Sequence, residues 1–399
     1  MTTDTVFDVA VVGAGPAGSA TALWLARRGW RVGLLERTRF DAARIGESLV
    51  PNVQEPLREL GAWSEFLALK PVPSWGTCSS WGDPTQQSHS HLVNPYGCGW
   101  HVDRLAFDHM LARAAVSAGA CLVEGVTLKH CAYREGSWHL QAPSSSEQLS
   151  AVGQTFRARM LIDATGRRAQ VARSLGAERC LLDHLVGVAV QWVGIDSSQR
   201  GHLLVESAPE GWWYSAPLPG DAHDSGGRMI AMLMTDADLC GRFRLSTAER
   251  WQAVLHASRA TRQRLGAAYA TSTPHVHCAL SQRLRRDGAY NEGPWLAVGD
   301  ATLAVDPVSG SGVLRALRTA RAAADTVSDL LARPHDRRAA LTAYEAERDK
   351  ECTKYLFERA HYYASEQRFS TPFWQRRQVM RRLPNEMTSR PPAMAGAGV

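Results

Sequence analysis

The pattern that most restricts the fold lies near the N-terminus, in VFDVAVVGAGPAGSATALWLARRGWRVGLLE, residues 6 to 36. Val9 to Val12 form a short apolar run suited to a strand buried on both faces. Gly13, Gly15 and Gly18 follow at GxGxxG spacing and open an alanine-rich helix, with Pro16 and Ala17 in its first turn and Gly29 near its end. A second strand, from Arg31 to Leu35, delivers Glu36, 18 residues beyond Gly18. Strand, glycine turn, helix and acid stand in the order a dinucleotide fold requires. Gly13 permits the tight turn, Gly15 lets the backbone approach a pyrophosphate, and Gly18 lets helix and strand pack closely. The helix N-terminus faces the phosphates, and the Glu36 carboxylate can accept ribose hydroxyls. A dinucleotide binds here.

Which dinucleotide is decided near the other end of the chain, between Gly293 and Pro334. Trp295 to Val298 reads as a strand ending in Gly299-Asp300. Pro307, Gly310 and Gly312 then open a helix whose apolar stripe runs through Val313, Leu317, Ala320, Ala324, Val327 and Leu331. A second glycine-rich helix start suits a ligand too long for one half-site. FAD fits, with its ADP end at the first motif and its ribityl and isoalloxazine end at the second. Asp300 can bind ribityl hydroxyls, and a helix start beside the flavin stabilises negative charge on its reduced form.

These motifs, with DATG from Asp163 to Gly166, resemble the p-hydroxybenzoate-hydroxylase-type flavoprotein superfamily. IGESLVP (Ile45 to Pro51) is similar to the GE-x-x-x-P loop of flavin-dependent tryptophan halogenases. NPYGCGWHVDRLAFD (Asn94 to Asp108), GWWYSAPLP (Gly211 to Pro219) and STPFWQRR (Ser370 to Arg377) extend the likeness to a halogenase-like branch that includes LodB-type flavoproteins. Members of that type modify a tryptophan inside a partner protein on the way to a quinone cofactor. The resemblance implies FAD contacts at Arg37, Arg44, Ser48, Arg104, Val126, Gly166, Gly299 and Val313, besides the glycines, Pro16, Ala17, Glu36 and Asp300. Pro307 and Gly310 are then expected at the catalytic face of the flavin.

The fold expected is an α/β FAD-binding domain of Rossmann-like, glutathione-reductase type, with an interleaved antiparallel substrate sheet and a helical C-terminal segment. The FAD-binding domain takes residues 1–75, 101–180 and 280–334. A substrate-covering β domain takes 76–100 and 181–279, a helical segment 335–383, and a disordered tail 384–399. Residues 104 to 120 read as an amphipathic helix, and 121 to 163 as strand-rich with a loop at APSSSEQ. Strands at Val186 to Ile195, Gly201 to Ser207, Trp212 to Leu218 and Arg228 to Thr235 alternate as an antiparallel sheet should.

Composition narrows the class further. With 399 residues, 45 % hydrophobic and 21 % charged, the chain is an ordinary globular protein. No run reaches the roughly 18 apolar residues of a membrane helix, and MTTDTVFDV is not a secretory signal. The net charge of +6 is a thin field over this length, and Arg376-Arg377 and Arg381-Arg382 read as solvated helix faces rather than a nucleic-acid surface. Eight scattered cysteines, none in CxxC spacing, suit reduced thiols in a cytoplasmic protein. His89/His91 and His275/His277 lack further nearby ligands, so no metal is expected.

Thirteen tryptophans are the unusual feature. Trp81, Trp100, Trp212, Trp213 and Tyr214 are expected to line a pocket for a flat, electron-rich substrate and to shield a flavin C4a-hydroperoxide from water. His101 could assist deprotonation. The expected reaction is insertion of oxygen from O2 into an indole or phenol, free or carried as a tryptophan side chain of a peptide or protein. NAD(P)H or a separate flavin reductase supplies the electrons. Related halogenases carry a lysine past the GE-x-x-x-P helix. Here that stretch is SWGTCSSWG (Ser74 to Gly82), Lys70 is out of register, and Trp212 to Pro217 replace the WxWxIP signature, so halogenation is disfavoured. An isoprenoid reductase and a non-enzymatic FAD-bound partner protein are the other classes the same frame would serve.

Overall fold

The computed structural model describes residues 5–42, 44–143, 154–220, 226–286, 293–333 and 337–378. The expected loop at APSSSEQ falls largely outside the described residues, and the tail 384–399 wholly so.

The fold is built on a sheet ordered Cys121–Val123, Val32–Leu35, Thr5–Val12, Gln154–Asp163, Ser137–Ala142, His130–Arg134. Its first four strands run parallel, and Trp295–Ala297 joins in parallel beside Leu161 to Asp163. Val9, Ala10 and Val11 are fully buried because helices cover one face and the 156–177 region the other. The helix Pro16–Arg27 packs between Arg104–Ser117 and Gly312–Ala332, which adds its stripe Leu317, Ala320, Ala324, Val327 and Leu331 to the same core. Asp103 caps the helix Arg104–Ser117, its carboxylate accepting from Leu105 and Ala106 N–H.

A second sheet carries the long strands Leu185–Ile195, Gly227–Asp236, Gly211–Leu218 and His202–Ala208, consecutive and antiparallel. Each lies within a residue of the expected bounds. Gly76–Ser80 extends it in parallel to His202–Ala208, a pairing the sequence did not signal. At the opposite edge, Tyr269–Ala270 and His275–Cys278 pair with Leu185–Ile195. The sheet's outer face packs on Trp251, Val254, Leu255 and Leu265.

The C-terminal segment is two helices, Arg337–Ala364 and Pro372–Gln378. It is bound tightly to both sheets. The Tyr344 hydroxyl donates to Ala297 O (2.8 Å), and Arg359 bridges Asp183 (2.8 Å) and Asp306 (3.3 Å) with all three side chains buried. Arg376 and Arg377 are not a free basic patch: both pair with Asp236, and Arg376 also holds Asp238, whose carboxyl it draws down to about 2. None of the eight cysteines is in a disulfide.

Candidate flavin and substrate site

Between the two sheets lies a continuous cavity of about 630 Å³. One end is walled by Gly13, Gly15, Pro16, Ala17, Glu36, Arg37, Arg44 and Val126. Gly13 has φ +103°, and a Cβ there would lie 2.4 Å from Ala164 O, so only glycine fits the turn. Gly18 and Gly299 stand outside the cavity as spacers. A Cβ on Gly18 would lie 1.9 Å from Gly13 O, and one on Gly299 would lie 2.6 Å from Ala17 Cβ. Gly15 is different: nothing lies within 4 Å of a Cβ built on it, because it faces the open cavity.

Glu36 is held before any ligand arrives. Its Oε2 accepts from Ala14 N–H (2.8 Å), and Oε1 from Thr38 N–H (3.1 Å), Thr38 Oγ1 (2.7 Å) and Arg44 Nη2 (3.3 Å). Oε2 keeps acceptor capacity for a ribose hydroxyl. Arg44 and Arg104 share Asp108, and Arg104 also donates to Ile45 O (2.9 Å) and Gly46 O (3.3 Å). Arg104 borders the cavity, yet these hydrogen bonds make it the anchor of the 45–48 loop rather than a donor aimed at phosphate.

The middle of the cavity is bordered by Gly166, Asp300 and the segment Asp306 to Val313. Asp300 pairs with Arg167 at 2.9 Å, so its oxygens are shared between that arginine and any ribityl hydroxyl. Asp306 caps the turn Pro307–Ser309 by accepting from Val308 N–H (3.0 Å), and Gly310 follows at φ +60°. These residues fit a bound FAD: an open cradle at Gly15, a pre-positioned carboxylate at one end and a glycine turn with a helix start at the other.

Beyond the turn, Leu203, Val205, Trp212, Tyr214, Met232, Met234, His277, Cys278 and Ala279 form the far wall. Trp212 and Tyr214 stand where expected, but three aromatics do not. Trp213 points through the opposite face of its strand and packs edge-on against Trp251 (5.1 Å), since successive strand residues alternate faces. Trp100 lies against Trp63 and Phe66 in the core of the dinucleotide sheet. Trp81 sits behind Trp212 (6.1 Å), packed tilted or edge-on among Tyr362, Tyr363 and Trp374, with its indole N–H on Tyr362 O.

His101 is fully buried and does not border the cavity. It reaches the cavity through Ser48, whose hydroxyl lies 3.0 Å from both His101 Nδ1 and the Tyr214 hydroxyl. Tyr214 also faces Glu47 at 3.5 Å. Burial pushes the Glu47 carboxyl and the Tyr214 hydroxyl up, while burial, then Arg264, His202 and His91, push His101 down to about 3. His101 is therefore neutral throughout the working range. Its folded value lies below the unfolded value near 6.5, so the unfolded chain takes up the proton first. Stability is present above pH 6.5 and falls on acidification towards pH 3, by about 2 kcal/mol from this group at pH 5. Urea unfolding at pH 7.5 and pH 5 should show that loss in the wild type and a smaller one in His101→Gln.

The cavity wall contributes residues that the sequence did not single out. Met232 and Met234 fold over Gly187, where a Cβ would lie 2.3 Å from Met232 Sδ. Burial and His275 push His277 down to about 4. Among the described residues, no group of three or more His, Cys, Asp or Glu could hold a metal, and no helix is long and apolar enough to cross a membrane.

Two sheets enclosing this cavity, with glycine turns at both ends of the flavin track, define an FAD-dependent oxidoreductase. Residues 6–357 match the FAD binding domain family, and the chain belongs to it. It is 30% identical over 384 residues to the putative FAD-dependent oxidoreductase LodB of Marinomonas mediterranea, covering 94% of this chain and 98% of LodB. It is 28% identical to a tryptophan 2-halogenase of Chondromyces crocatus, over 93% of this chain and 70% of that protein. Among solved structures, the myxobacterial chondrochloren halogenase CndH shares the fold, with TM-score 0.80 and 24% identity over 94% of this chain and 86% of that one. The peptidyl tryptophan dihydroxylase QhpG, essential for tryptophylquinone cofactor biogenesis, aligns with TM-score 0.65 and 26% identity, over 94% of this chain and 79% of that one.

Proposed function

We propose that the protein is an FAD-dependent monooxygenase that inserts oxygen from O2 into an electron-rich aromatic ring, with a tryptophan side chain in a polypeptide as the preferred substrate. One observation carries the reading: the cavity that bears the flavin motifs continues without interruption to a wall of Trp212, Tyr214 and two methionines, and no lysine borders it among the described residues. A diffusible hypohalous acid would meet the thioethers of Met232 and Met234 and the thiol of Cys278, which it oxidises readily. That wall favours oxygen transfer at short range over a released halogenating agent. The relatives that act on tryptophan, the dihydroxylase and the 2-halogenase, support an indole as the ring.

FAD supplies the oxygen-activating redox chemistry, with electrons from NAD(P)H or a partner reductase. Gly13, Gly15, Glu36, Arg37 and Arg44 would hold its ADP end, and Asp300 with Pro307 to Val313 its ring end. Leu203, Val205, Met232 and Met234 keep water from the reacting ring. The indole of Trp212, itself buried, backs this wall and fixes the strand from which the Tyr214 hydroxyl faces the cavity. The Tyr214 and Ser48 hydroxyls face the ring's N–H or O–H. They can hydrogen-bond to that group and fix its orientation, with His101 Nδ1 orienting Ser48, and they carry no net proton. Chemistry of this kind depends on alignment more than on a strong base.

The preference for a polypeptide is tested by mass spectrometry. Holo-protein with reductant and O2 is incubated with a tryptophan-containing peptide and, separately, with free tryptophan. Gains in steps of one oxygen on the peptide, at higher efficiency than on the free amino acid, are expected. Oxidation of free tryptophan alone would remove the polypeptide reading.

A further inference from the structure

The cavity wall and the flavin-facing turn belong to different parts of the fold, yet a buried chain of hydrogen bonds joins them. Trp212 Nε1 donates to the Tyr363 hydroxyl (3.0 Å), which donates to Asp306 Oδ2 (2.7 Å). The other oxygen of Asp306 accepts from Val308 N–H (3.0 Å), the first backbone group of the turn that borders the ring end of the flavin track. Trp212, Tyr363 and Asp306 are 0, 1 and 0 % exposed, so water does not compete for any of these bonds. The order of donors is set by chemistry: an indole N–H can only donate, and a carboxylate beside Arg359 accepts. Burial and the Asp306 charge both hold the Tyr363 hydroxyl protonated, leaving it one proton to give to Asp306 and a lone pair for Trp212. Trp81 and Trp374 pack around the same ring and block other orientations.

We propose that Tyr363, on the C-terminal helix Arg337–Ala364, is a positioning residue that registers the cavity-wall strand Gly211–Leu218, through its buried Trp212, against the flavin-facing turn through Asp306. The inference rests on the reading of the strand Gly211–Leu218 as part of the substrate wall. It gives the C-terminal segment a part in the site, although Tyr363 does not border the cavity. Without the Tyr363 hydroxyl, Trp212 loses the acceptor that fixes its plane, and Asp306 loses one of the donors that hold the cap of the turn. Tyr363→Phe keeps the packing and removes both bonds.

The experiment compares wild type, Tyr363→Phe, Trp212→Phe and the double variant as FAD-loaded proteins. Two quantities are read: the midpoint potential of the flavin without ligand, and indole binding followed by the flavin absorption spectrum. Tyr363→Phe should retain its FAD, shift the potential, and weaken indole binding roughly tenfold, about what one ordinary hydrogen bond is worth. The double variant should be little worse than the worse single one, since both substitutions break the same chain. A Tyr363→Phe protein with wild-type potential and wild-type indole response would overturn the proposal, as would fully additive effects. If wild type itself gives no indole response, the aromatic-substrate reading fails, and the potential alone decides: a shift upholds the registration and no shift overturns it. If Tyr363→Phe does not fold, Trp212→Phe is read by indole binding, since it removes only the bond that ties the wall strand to Tyr363: weakened binding upholds the registration and wild-type binding overturns it.

Discussion

Arg359→Met should cost about 3–5 kcal/mol of stability, a large share of the roughly 5–15 kcal/mol that a folded domain possesses. Arg359 is 6 % exposed and is shared by two buried carboxylates, Asp183 at 2.8 Å and Asp306 at 3.3 Å. Asp183 also accepts from the N–H groups of Leu185 and Ser281, so it fixes the start of the long strand Leu185–Ile195. Asp306 fixes the flavin-side turn. Replacing the guanidinium with an apolar chain of similar length preserves volume and leaves two charges in the interior without their cation, which costs far more than the pair itself contributes. Urea unfolding followed by tryptophan fluorescence should show a midpoint well below wild type. A loss within about 1 kcal/mol would mean that the two carboxylates are adequately held by their remaining donors, and that the helix Arg337–Ala364 does not clamp the two sheets.

Gly15→Val should separate folding from cofactor binding. Gly15 has φ −74° and ψ −176°, extended backbone that valine adopts without strain, and its Cβ position meets no protein atom within 4 Å. The protein should therefore fold. The isopropyl group would occupy the space a pyrophosphate needs, so FAD should bind at least ~100-fold more weakly, about 3 kcal/mol. Purified Gly15→Val should be colourless, with wild-type far-UV circular dichroism. Gly13 and Gly18 offer no such separation, because Cβ atoms there collide with backbone oxygens and the fold itself must yield.

The contrast between these glycines shows what local pattern carries. Strand, turn, helix and acid from Val9 to Glu36 are contiguous, and the four long strands of the second sheet announce themselves by alternation, so both were legible within about a residue. Alternation also separates Trp213 from Trp212 and Tyr214. Three neighbouring aromatics on one strand cannot form one cluster, because the strand's period of two splits them between its faces. Trp81 and Trp100 misled for another reason: each stands on a short segment whose packing is set by distant partners, Tyr362 and Trp374 for one, Trp63 and Phe66 for the other. The link from Trp212 to Tyr363 spans 151 positions and that from Arg359 to Asp306 spans 53, distances at which no periodicity speaks. Met232 and Met234 carry a two-residue signal, but a methionine names no chemistry until its neighbours are seen.

Insertion of oxygen rather than halogen into an aromatic ring is decided by one product analysis. Holo-protein, a flavin-reducing system, 18O2, chloride and bromide are combined with a tryptophan-containing peptide, and the products are read by high-resolution mass spectrometry. The peptide products are expected to carry oxygen-18, to depend on the protein and to contain no halogen. Enzyme-dependent chlorine or bromine on the indole, with no oxygen-18 in the product, would contradict that expectation.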